Sequence, residues 1–187
     1  MFKQIIEKFP TERLIAVDIE TTGESGDNNR IIQLGIVEFL SGKINEYSRM
    51  FGGGKSTYYA LKTHKISDDR RLGEESFEER HEKILSFFSG AIIVGHNIRK
   101  SDLPIINKRI NFCGKSLGTV RFIDTCTMAS LAKVDVDDMK LSTLCEYFNI
   151  EYGNHDALGD ARSSLFLLEK LLKYNVGKNI LETRIFK

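Results

Sequence analysis

The chain has 187 residues, of which 41% are hydrophobic and 28% charged, and its formal net charge is +1. This length suits one domain, and the apolar fraction excludes a disordered tail. The balanced charge argues neither for nor against a nucleic-acid partner, so a phosphate-binding site would need local basic groups or metal ions held by acids. Three cysteines without CxxC spacing predict reduced thiols and argue against a zinc site.

The sequence predicts neither a membrane anchor nor a secretion signal. No stretch approaches ~18 uninterrupted apolar residues. Residues 1–13 mix charged with apolar side chains, which is unlike the apolar core of a signal peptide. We therefore expect a cytoplasmic protein without a membrane partner.

The first half of the chain predicts three strands. Residues 14–19 are apolar and β-branched enough for a buried strand, residues 31–39 form a second, and residues 44–51 a weaker third. A turn at residues 27–29 separates the first two strands. The glycines at residues 52–54 predict a flexible loop after the third.

The second half predicts helices that alternate with strands. Ser76 and Glu79 form a capping box, so a helix should run to about Phe88. Short strands are expected at residues 91–94 and 120–123, and helices at residues 141–148 and 156–173, the last with leucines at helical spacing. Ser101 is expected to cap a helix to about Asn111, and residues 175–177 to close the last helix. This order predicts an α/β fold, a mixed sheet flanked by helices.

Two acids at the end of the first strand do not fit a core. Side chains alternate across a strand, so Asp18 and Glu20 project to the same face. Neighbouring carboxylates repel each other unless they share a proton or a cation, and Mg²⁺ takes oxygen ligands of this kind. For an isolated Asp-x-Glu, a solvated strand end is the favoured interpretation, because the pattern is short.

Acids and histidines also stand at the starts of two predicted helices. Asp102 follows the loop that contains His96, and the helix dipole alone could explain an acid there. Asp156 suits an N-cap, whereas Asp160 lies on the flank of the leucine stripe, where it can reach a site beside the sheet. His155 precedes this helix and is either a surface histidine or a general base.

Taken together, these segments predict one catalytic site. Open sheets build sites at strand ends and helix starts, and four carboxylates with one imidazole meet the needs of two-metal phosphodiester hydrolysis. In that scheme two cations about 4 Å apart hold the scissile phosphate, activate water and stabilise the leaving 3′ oxygen.

Three motifs resemble the DEDDh (DnaQ-like) family of 3′→5′ exonucleases, which includes the proofreading subunit of the bacterial replicative polymerase. The motifs read VDIETTG at residues 17–23, GHNIRKSD at residues 95–102 and HDALGDA at residues 155–161. A weaker match, THKIS at residues 63–67, is similar to the family's His-Gly-Ile-Thr segment beside the terminal nucleotide. Residues 124–125 and 141–144 resemble connecting segments, so the similarity runs from about Leu14 to Leu172.

The resemblance implies an RNase H-like fold with a mixed sheet of about five strands, in a single exonuclease domain over residues 1–187 with its core at about 14–173. It implies that two Mg²⁺ or Mn²⁺ ions bind to four acids, and that His155 activates the attacking water. The implied metal ligands are Asp18, Glu20, Asp102 and Asp160. The implied substrate contacts are Thr21, Thr22, Gly23, His64, Ile66, His96 and Asn97, the first three through backbone groups.

The expected partner is nucleic acid with a 3′ end that is unpaired at its terminus, with DNA favoured, and a DNA polymerase subunit is a second candidate partner. Two alternatives stay open: an RNA-processing exonuclease of the ribonuclease T or oligoribonuclease kind, and a catalytically silent nucleic-acid-binding module. We also expect a basic rim that binds phosphates around the helix that begins at Asp102, although a solvated helix face is equally compatible. The rim residues are Arg99, Lys100, Lys108 and Arg109.

The chain departs from the family pattern at three places. Ser101 stands where relatives usually have a large apolar residue, Lys65 replaces a glycine, and the glycines at residues 52–54 replace a stretch that often contains proline. The second-motif acid itself is intact, so these departures concern local packing and substrate contacts more than catalysis.

Overall fold

The computed structural model describes residues 2–174, 176 and 180–187, and its sheet has six strands. The strands are β1 (Leu14–Thr21), β2 (Ile31–Leu40), β3 (Lys43–Met50), β4 (Ile92–Gly95), β5 (Thr119–Asp124) and β6 (Glu182–Ile185). The helices are α1 (Lys3–Lys8), α2 (Tyr58–His64), α3 (His81–Phe88), α4 (Asp102–Asn111), α5 (Thr125–Leu131), α6 (Leu141–Phe148) and α7 (Ala157–Leu171).

The sheet is mixed, in the order β3-β2-β1-β4-β5-β6. The three strands β1, β2 and β3 pair antiparallel, β4 lies parallel to β1, and β5 lies parallel to β4. The predicted α/β class is therefore confirmed, but the predicted count of five strands was wrong. The sixth strand, β6, pairs antiparallel with β5 at the sheet edge. Its four residues alternate between half-buried and exposed, so they carry little apolar signal.

Two apolar layers cover the two faces of the sheet. Leu14 and Ala16 of β1 pack with the leucines of α7, while Ile15 and Val17 pack with α3 and α4 on the opposite side. This alternation continues along the strand, so Asp18 and Glu20 project to the α7 face. The direction of the first-motif acids is thus set by the burial of their apolar neighbours.

The predicted helix starts were tested by the capping hydrogen bonds of the structure. The capping box is present, because Ser76 Oγ accepts the Glu79 N–H at 3.3 Å and Glu79 Oε2 accepts the Ser76 N–H at 2.6 Å. A short 3₁₀ helix at Glu78–Arg80 precedes α3. Ser101 occupies the N-cap position of α4, but its side chain makes no capping hydrogen bond, so that detail was wrong. The predicted closure of α7 at residues 175–177 lies outside the described residues.

Three helices were missed by the sequence analysis: α1, α2 and α5, each of six or seven residues. Helices this short are marginal without tertiary contacts. Among the described residues, none of the helices combines the length and apolar character needed to cross a membrane.

A close contact between β2 and the start of α7 positions the third motif. A Cβ on Gly35 would lie 2.2 Å from the backbone of Ala157, so only glycine lets the helix approach the strand this closely. The buried Gln33 lies beside it and accepts the Ala157 N–H at 3.1 Å. The beginning of α7 is therefore held against the sheet three residues before Asp160.

Candidate active site

The three motifs meet in one open cleft at the end of β1 and β4. All five predicted catalytic residues line it: Asp18, Glu20, Asp102, His155 and Asp160. His96, Asn97, Ser101 and Tyr152 line it as well. The other predicted substrate contacts are not part of this lining. Thr21 ends β1, Thr22 and Gly23 lie on the loop after it, His64 ends α2, and Ile66 follows that helix.

Asp18 and Glu20, at the end of β1, lie close to other acidic residues. Burial raises the pKa of Asp18 well above its usual value, and the charges of Asp102, Asp160 and Glu20 raise it further. Burial also raises the pKa of Glu20 to about 8, with further contributions from Asp160, Asp102 and Asp156. Such acids ionise together only when a cation offsets their repulsion.

Asp102 begins α4 and is nearly inaccessible to solvent. Burial raises its pKa to about 6, although hydrogen bonds from Ser101 and from the backbone of Ile19 oppose the rise. The Ile19 N–H donates to Asp102 Oδ1 at 3.2 Å, and the Ser101 hydroxyl donates to Oδ2. The departure at Ser101 therefore has a local consequence, since this side chain orients the neighbouring carboxylate.

Asp160 projects from the first turn of α7 and is also buried. Its Oδ2 accepts the backbone N–H of His155 at 3.1 Å. Its Oδ1 has no hydrogen-bond partner among the described residues. Burial raises the pKa of Asp160 to about 6. A buried carboxylate oxygen without a donor is costly unless a cation binds there.

His155 stands on a strained turn next to the acids. Its φ is 61° and that of Asn154 is 54°, a left-handed conformation that costs non-glycine residues free energy. Ligand atoms of Glu20, His155 and Asp160 lie within 4.8 Å of one another. The hydroxyl of Tyr152 lies 3.3 Å from His155 Nε2. This turn therefore holds the imidazole at the acid cluster.

Two further residues of the site were missed by the sequence analysis. Tyr152 contacts His155, and burial together with the nearby acids raises the pKa of its hydroxyl to about 12. The buried Asp124 accepts the backbone N–H groups of Asn97 at 3.0 Å and of Arg99 at 3.2 Å. It also caps α5, so it fixes the loop of the second motif. The sequence marked Asp124 only as part of a family-like segment, and Tyr152 carried no signal.

Asp156 and His96 take mainly structural positions. Asp156 caps α7 by accepting the Gly159 N–H at 3.0 Å, which confirms the N-cap interpretation. The His96 ring donates from Nε2 to the carbonyl of Met139 at 2.7 Å, and its Nδ1 lies 3.1 Å from the Thr125 hydroxyl. Burial lowers the pKa of His96. Both ring nitrogens are thus occupied inside the protein, and its substrate contact stays a prediction.

The loop after β1 is held by α2. The N–H of Thr22 donates to the carbonyl of Arg30 at 2.9 Å, and its own carbonyl accepts the Thr57 N–H at 2.8 Å. Both backbone groups of Thr22 are thus bonded inside the protein, so this residue shapes the loop. The predicted contact of Thr21 and Gly23 with a terminal nucleotide stays a prediction.

The THKIS segment closes α2. The buried His64 accepts the Ile66 N–H on Nδ1 at 2.9 Å, and burial lowers the pKa of His64. Its Nε2 has no partner within the described part of the chain. Lys65 caps the helix with a φ of 59° and donates its N–H to Leu61 O at 2.9 Å. The lysine therefore adopts the left-handed conformation that the family's glycine would adopt more readily.

The predicted basic rim is only partly present. Arg109 is buried and pairs with Glu78, so its inclusion in a solvent-facing rim was wrong. Lys108 pairs with Asp27 at 2.6 Å. The sequence alone does not decide whether Lys108 and Arg109 face solvent or the core. Only the packing of α4 decides it.

The donor set suits hard divalent cations. Four carboxylates converge, and burial and neighbouring carboxylates raise their pKa values. Asp160 Oδ1 lacks a hydrogen-bond partner among the described residues. Mg²⁺ and Mn²⁺ favour oxygen ligands of this type.

Comparison with known proteins shows which class the fold belongs to. Exonuclease I from E. coli, in a complex with a dT13 oligonucleotide, matches with a TM-score of 0.74 and 15% identity, over 88% of this chain and 42% of that one. This likeness shows a shared RNase H-like fold. An exonuclease family model, RNase_T, matches residues 15–168. The chain therefore belongs to this exonuclease family, and the resemblance to the DEDDh exonucleases is confirmed.

Two curated bacterial proteins are similar to the chain in sequence. A PolC-type DNA polymerase III of Halalkalibacterium halodurans is 28% identical over 170 residues, which are 89% of this chain and 12% of the polymerase. The 3′-5′ exonuclease DinG of Bacillus subtilis is 29% identical over 167 residues, which are 87% of this chain and 18% of that protein. The chain thus spans less than a fifth of the length of either relative.

Proposed function

We propose that the protein is a metal-dependent 3′→5′ exonuclease that hydrolyses phosphodiester bonds at the 3′ end of nucleic acid. The observation that carries the proposal is the convergence of five residues from three separate segments in one cleft, with the pKa of Glu20 raised to about 8 by burial and by neighbouring acids. Clustered, buried acids destabilise the folded state, and bound cations offset this destabilisation. Membership of the exonuclease family agrees with this reading.

Asp18, Glu20, Asp102 and Asp160 are the proposed ligands of two Mg²⁺ or Mn²⁺ ions. When bound, such ions neutralise phosphate charge and lower the pKa of bound water. The chain supplies the orientation: Ser101 and the Ile19 N–H fix Asp102, and the His155 N–H fixes Asp160. His155 is the proposed general base, which accepts the proton of the attacking water, and Tyr152 holds its ring.

DNA is the proposed substrate, and the domain is proposed to extend over residues 1–187 with its core at residues 14–173. The name of one relative, a DNA polymerase III, supports this choice. We further propose association with a DNA polymerase, which the same relative supports. An RNA-processing exonuclease would use identical chemistry, so a comparison of substrates separates the two.

The test is digestion of three substrates labelled at the 5′ end: single-stranded DNA, duplex DNA with a mismatched 3′ end, and short RNA. We expect a ladder of products shortened from the 3′ end with Mg²⁺, no products with EDTA, and faster digestion of DNA than of RNA. Products released from the 5′ end, or activity in EDTA, would refute the proposal. Faster digestion of RNA would keep the chemistry and change the substrate.

Asp18→Asn separates an active enzyme from a silent binding module. The substitution keeps the shape of the side chain and removes a charge, so turnover should fall by several orders of magnitude. Asp135→Asn is the matched control, because Asp135 is an exposed acid that does not line the cleft. Near-normal turnover of Asp18→Asn would show that the site assignment is wrong.

A further inference from the structure

Helix α2 carries two adjacent tyrosines on its outer side. Tyr58 is 71% exposed and Tyr59 is 80% exposed, and their rings meet edge to face with centroids 5.6 Å apart. The inner side of the helix packs through Ala60 and the buried His64. Large aromatic rings exposed to this degree gain nothing from the fold, so their free faces are available to a ligand.

Three lysines lie within seven positions of both tyrosines in the sequence. Lys55, Lys62 and Lys65 are all exposed, and residues 55–67 contain no acid. None of the three lysines forms a salt bridge within the described ranges. Lys62 follows Tyr58 by four positions and Tyr59 by three, which places it on the same side of the helix. Aromatic rings combined with unpaired positive charge match a strand of bases and phosphates.

The position of α2 links this surface to the cleft. A Cβ on Gly23, whose φ is +73°, would lie 2.7 Å from the Cβ of Ala60, so the helix rests directly on the loop that follows Glu20. Gly23 follows Glu20 by three positions, a span of about 10 Å at most in extended chain. A strand that leaves the acids along this loop therefore reaches α2 within a few nucleotides.

We propose that Tyr58 and Tyr59 bind unpaired bases upstream of the 3′-terminal nucleotide by stacking, while Lys62 contacts a phosphate of the same strand. This inference rests on the proposed exonuclease function. Only an unpaired strand offers both faces of its bases to side chains, and stacking accepts any base. The surface therefore selects single-stranded 3′ tails several nucleotides long, without sequence preference.

The experiment compares a long substrate with a minimal one. Binding of 5′-fluorescein-labelled dT12 is measured by anisotropy with Ca²⁺ in place of Mg²⁺, and hydrolysis of the p-nitrophenyl ester of thymidine 5′-monophosphate is measured with Mg²⁺. The Tyr58→Ala/Tyr59→Ala variant should bind dT12 about tenfold more weakly and hydrolyse the ester at the wild-type rate. Tyr58→Phe/Tyr59→Phe should stay within about twofold of wild type, because phenyl rings still stack.

Two further variants sharpen the result. Tyr147→Ala removes a tyrosine that is 50% exposed on α6 and should leave dT12 binding unchanged. Lys62→Gln should flatten the dependence of log Kd on log salt by about 0.7, the value for one phosphate contact on a single strand.

The outcomes separate this inference from the proposed function. Wild-type binding of dT12 by Tyr58→Ala/Tyr59→Ala would overturn the inference whatever the ester shows, and would leave the tyrosines for a protein partner. Loss of ester hydrolysis in the same variant would overturn it too, because the tyrosines would then act through the fold of the site. Weak dT12 binding by this variant, with ester hydrolysis at the wild-type rate, would support the inference. A wild-type protein that releases no products from dT12 with Mg²⁺ would instead refute the proposed function, and the inference with it.

Discussion

The side-chain amide of Gln33 donates a 2.8 Å hydrogen bond to the carboxylate of Asp156. Its carbonyl oxygen accepts the Ala157 N–H at the same helix end. One buried side chain on β2 therefore holds the first turn of α7, from which Asp160 projects into the cleft. The structure thus makes the third motif depend on a residue more than 120 positions earlier in the chain.

Gln33→Ala should lower the free energy of unfolding by about 1–3 kcal/mol, because it leaves buried polar groups at the start of α7 without a partner. Turnover should also fall, since Asp160 loses its fixed position. Thermal unfolding and initial rates measure the two effects. Asn45→Ala is the matched control: Asn45 is exposed and donates one hydrogen bond to Glu38, so its loss should cost less than about 0.5 kcal/mol. Equal effects of both substitutions would contradict the role of Gln33.

The metal-free protein should lose stability as pH rises. Folding raises the pKa of Glu20 from 4.5 to about 8, and those of Asp102 and Asp160 from 3.8 to about 6. At a pH between the pKa of a group in the unfolded chain and its pKa in the folded state, the folded state holds more protons than the unfolded chain. Stability is therefore highest below about pH 4 for these groups, and it falls as pH rises toward 8. We therefore expect Tm to fall steadily as pH rises from about 4 to 8.

Melting in EDTA at several pH values measures this loss. Mg²⁺ should raise Tm most at high pH, because it binds the ionised acids of the folded state only. Glu20→Gln cannot ionise and should flatten the metal-free profile between pH 6 and 8. Identical profiles with EDTA and with Mg²⁺ would show that the acids do not hold a cation.

His155→Ala tests the general base. Loss of a base should lower turnover by about 10² to 10⁴, while the Mg²⁺ concentration at half-maximal activity stays close to that of the wild type. Tyr152→Phe removes only the hydroxyl beside the ring and should cost far less. Loss of metal binding in His155→Ala would instead make the imidazole a ligand, as its place within 4.8 Å of Glu20 and Asp160 allows.

Two neighbouring cations on α4 should behave differently. Arg109 is buried, pairs with Glu78 and donates to the carbonyl of Asp27 at 3.1 Å, so Arg109→Ala should cost about 3–5 kcal/mol. Lys108 forms a more exposed pair with Asp27, and Lys108→Ala should change stability by at most about 1 kcal/mol. Thermal and urea unfolding compare them. Equal stability of the two variants would contradict the structural role of the buried Arg109.

Local chemistry in the sequence was sufficient to predict most of the fold and the acids of the site. The strand at residues 14–19 was evident because its apolar run is continuous, and the capping box at Ser76 marked a helix entry. The alternation of side chains along β1 placed Asp18 and Glu20 on one face, and the N-cap at Asp156 placed Asp160 in the first helical turn. Each of these properties depends on residues within about one helical turn of each other.

Only the tertiary structure decided the remainder. The helices α1, α2 and α5 and the strand β6 are too short to be stable without the neighbours they pack against. The carboxylate of Asp124 gains its role from Asn97 and Arg99, which it meets only across the sheet. Arg109 is buried because Glu78 lies opposite it. Such partners are distant in sequence, so no local pattern encodes them, whereas the free energy of burying a charge or an amide depends on the partner that the fold supplies.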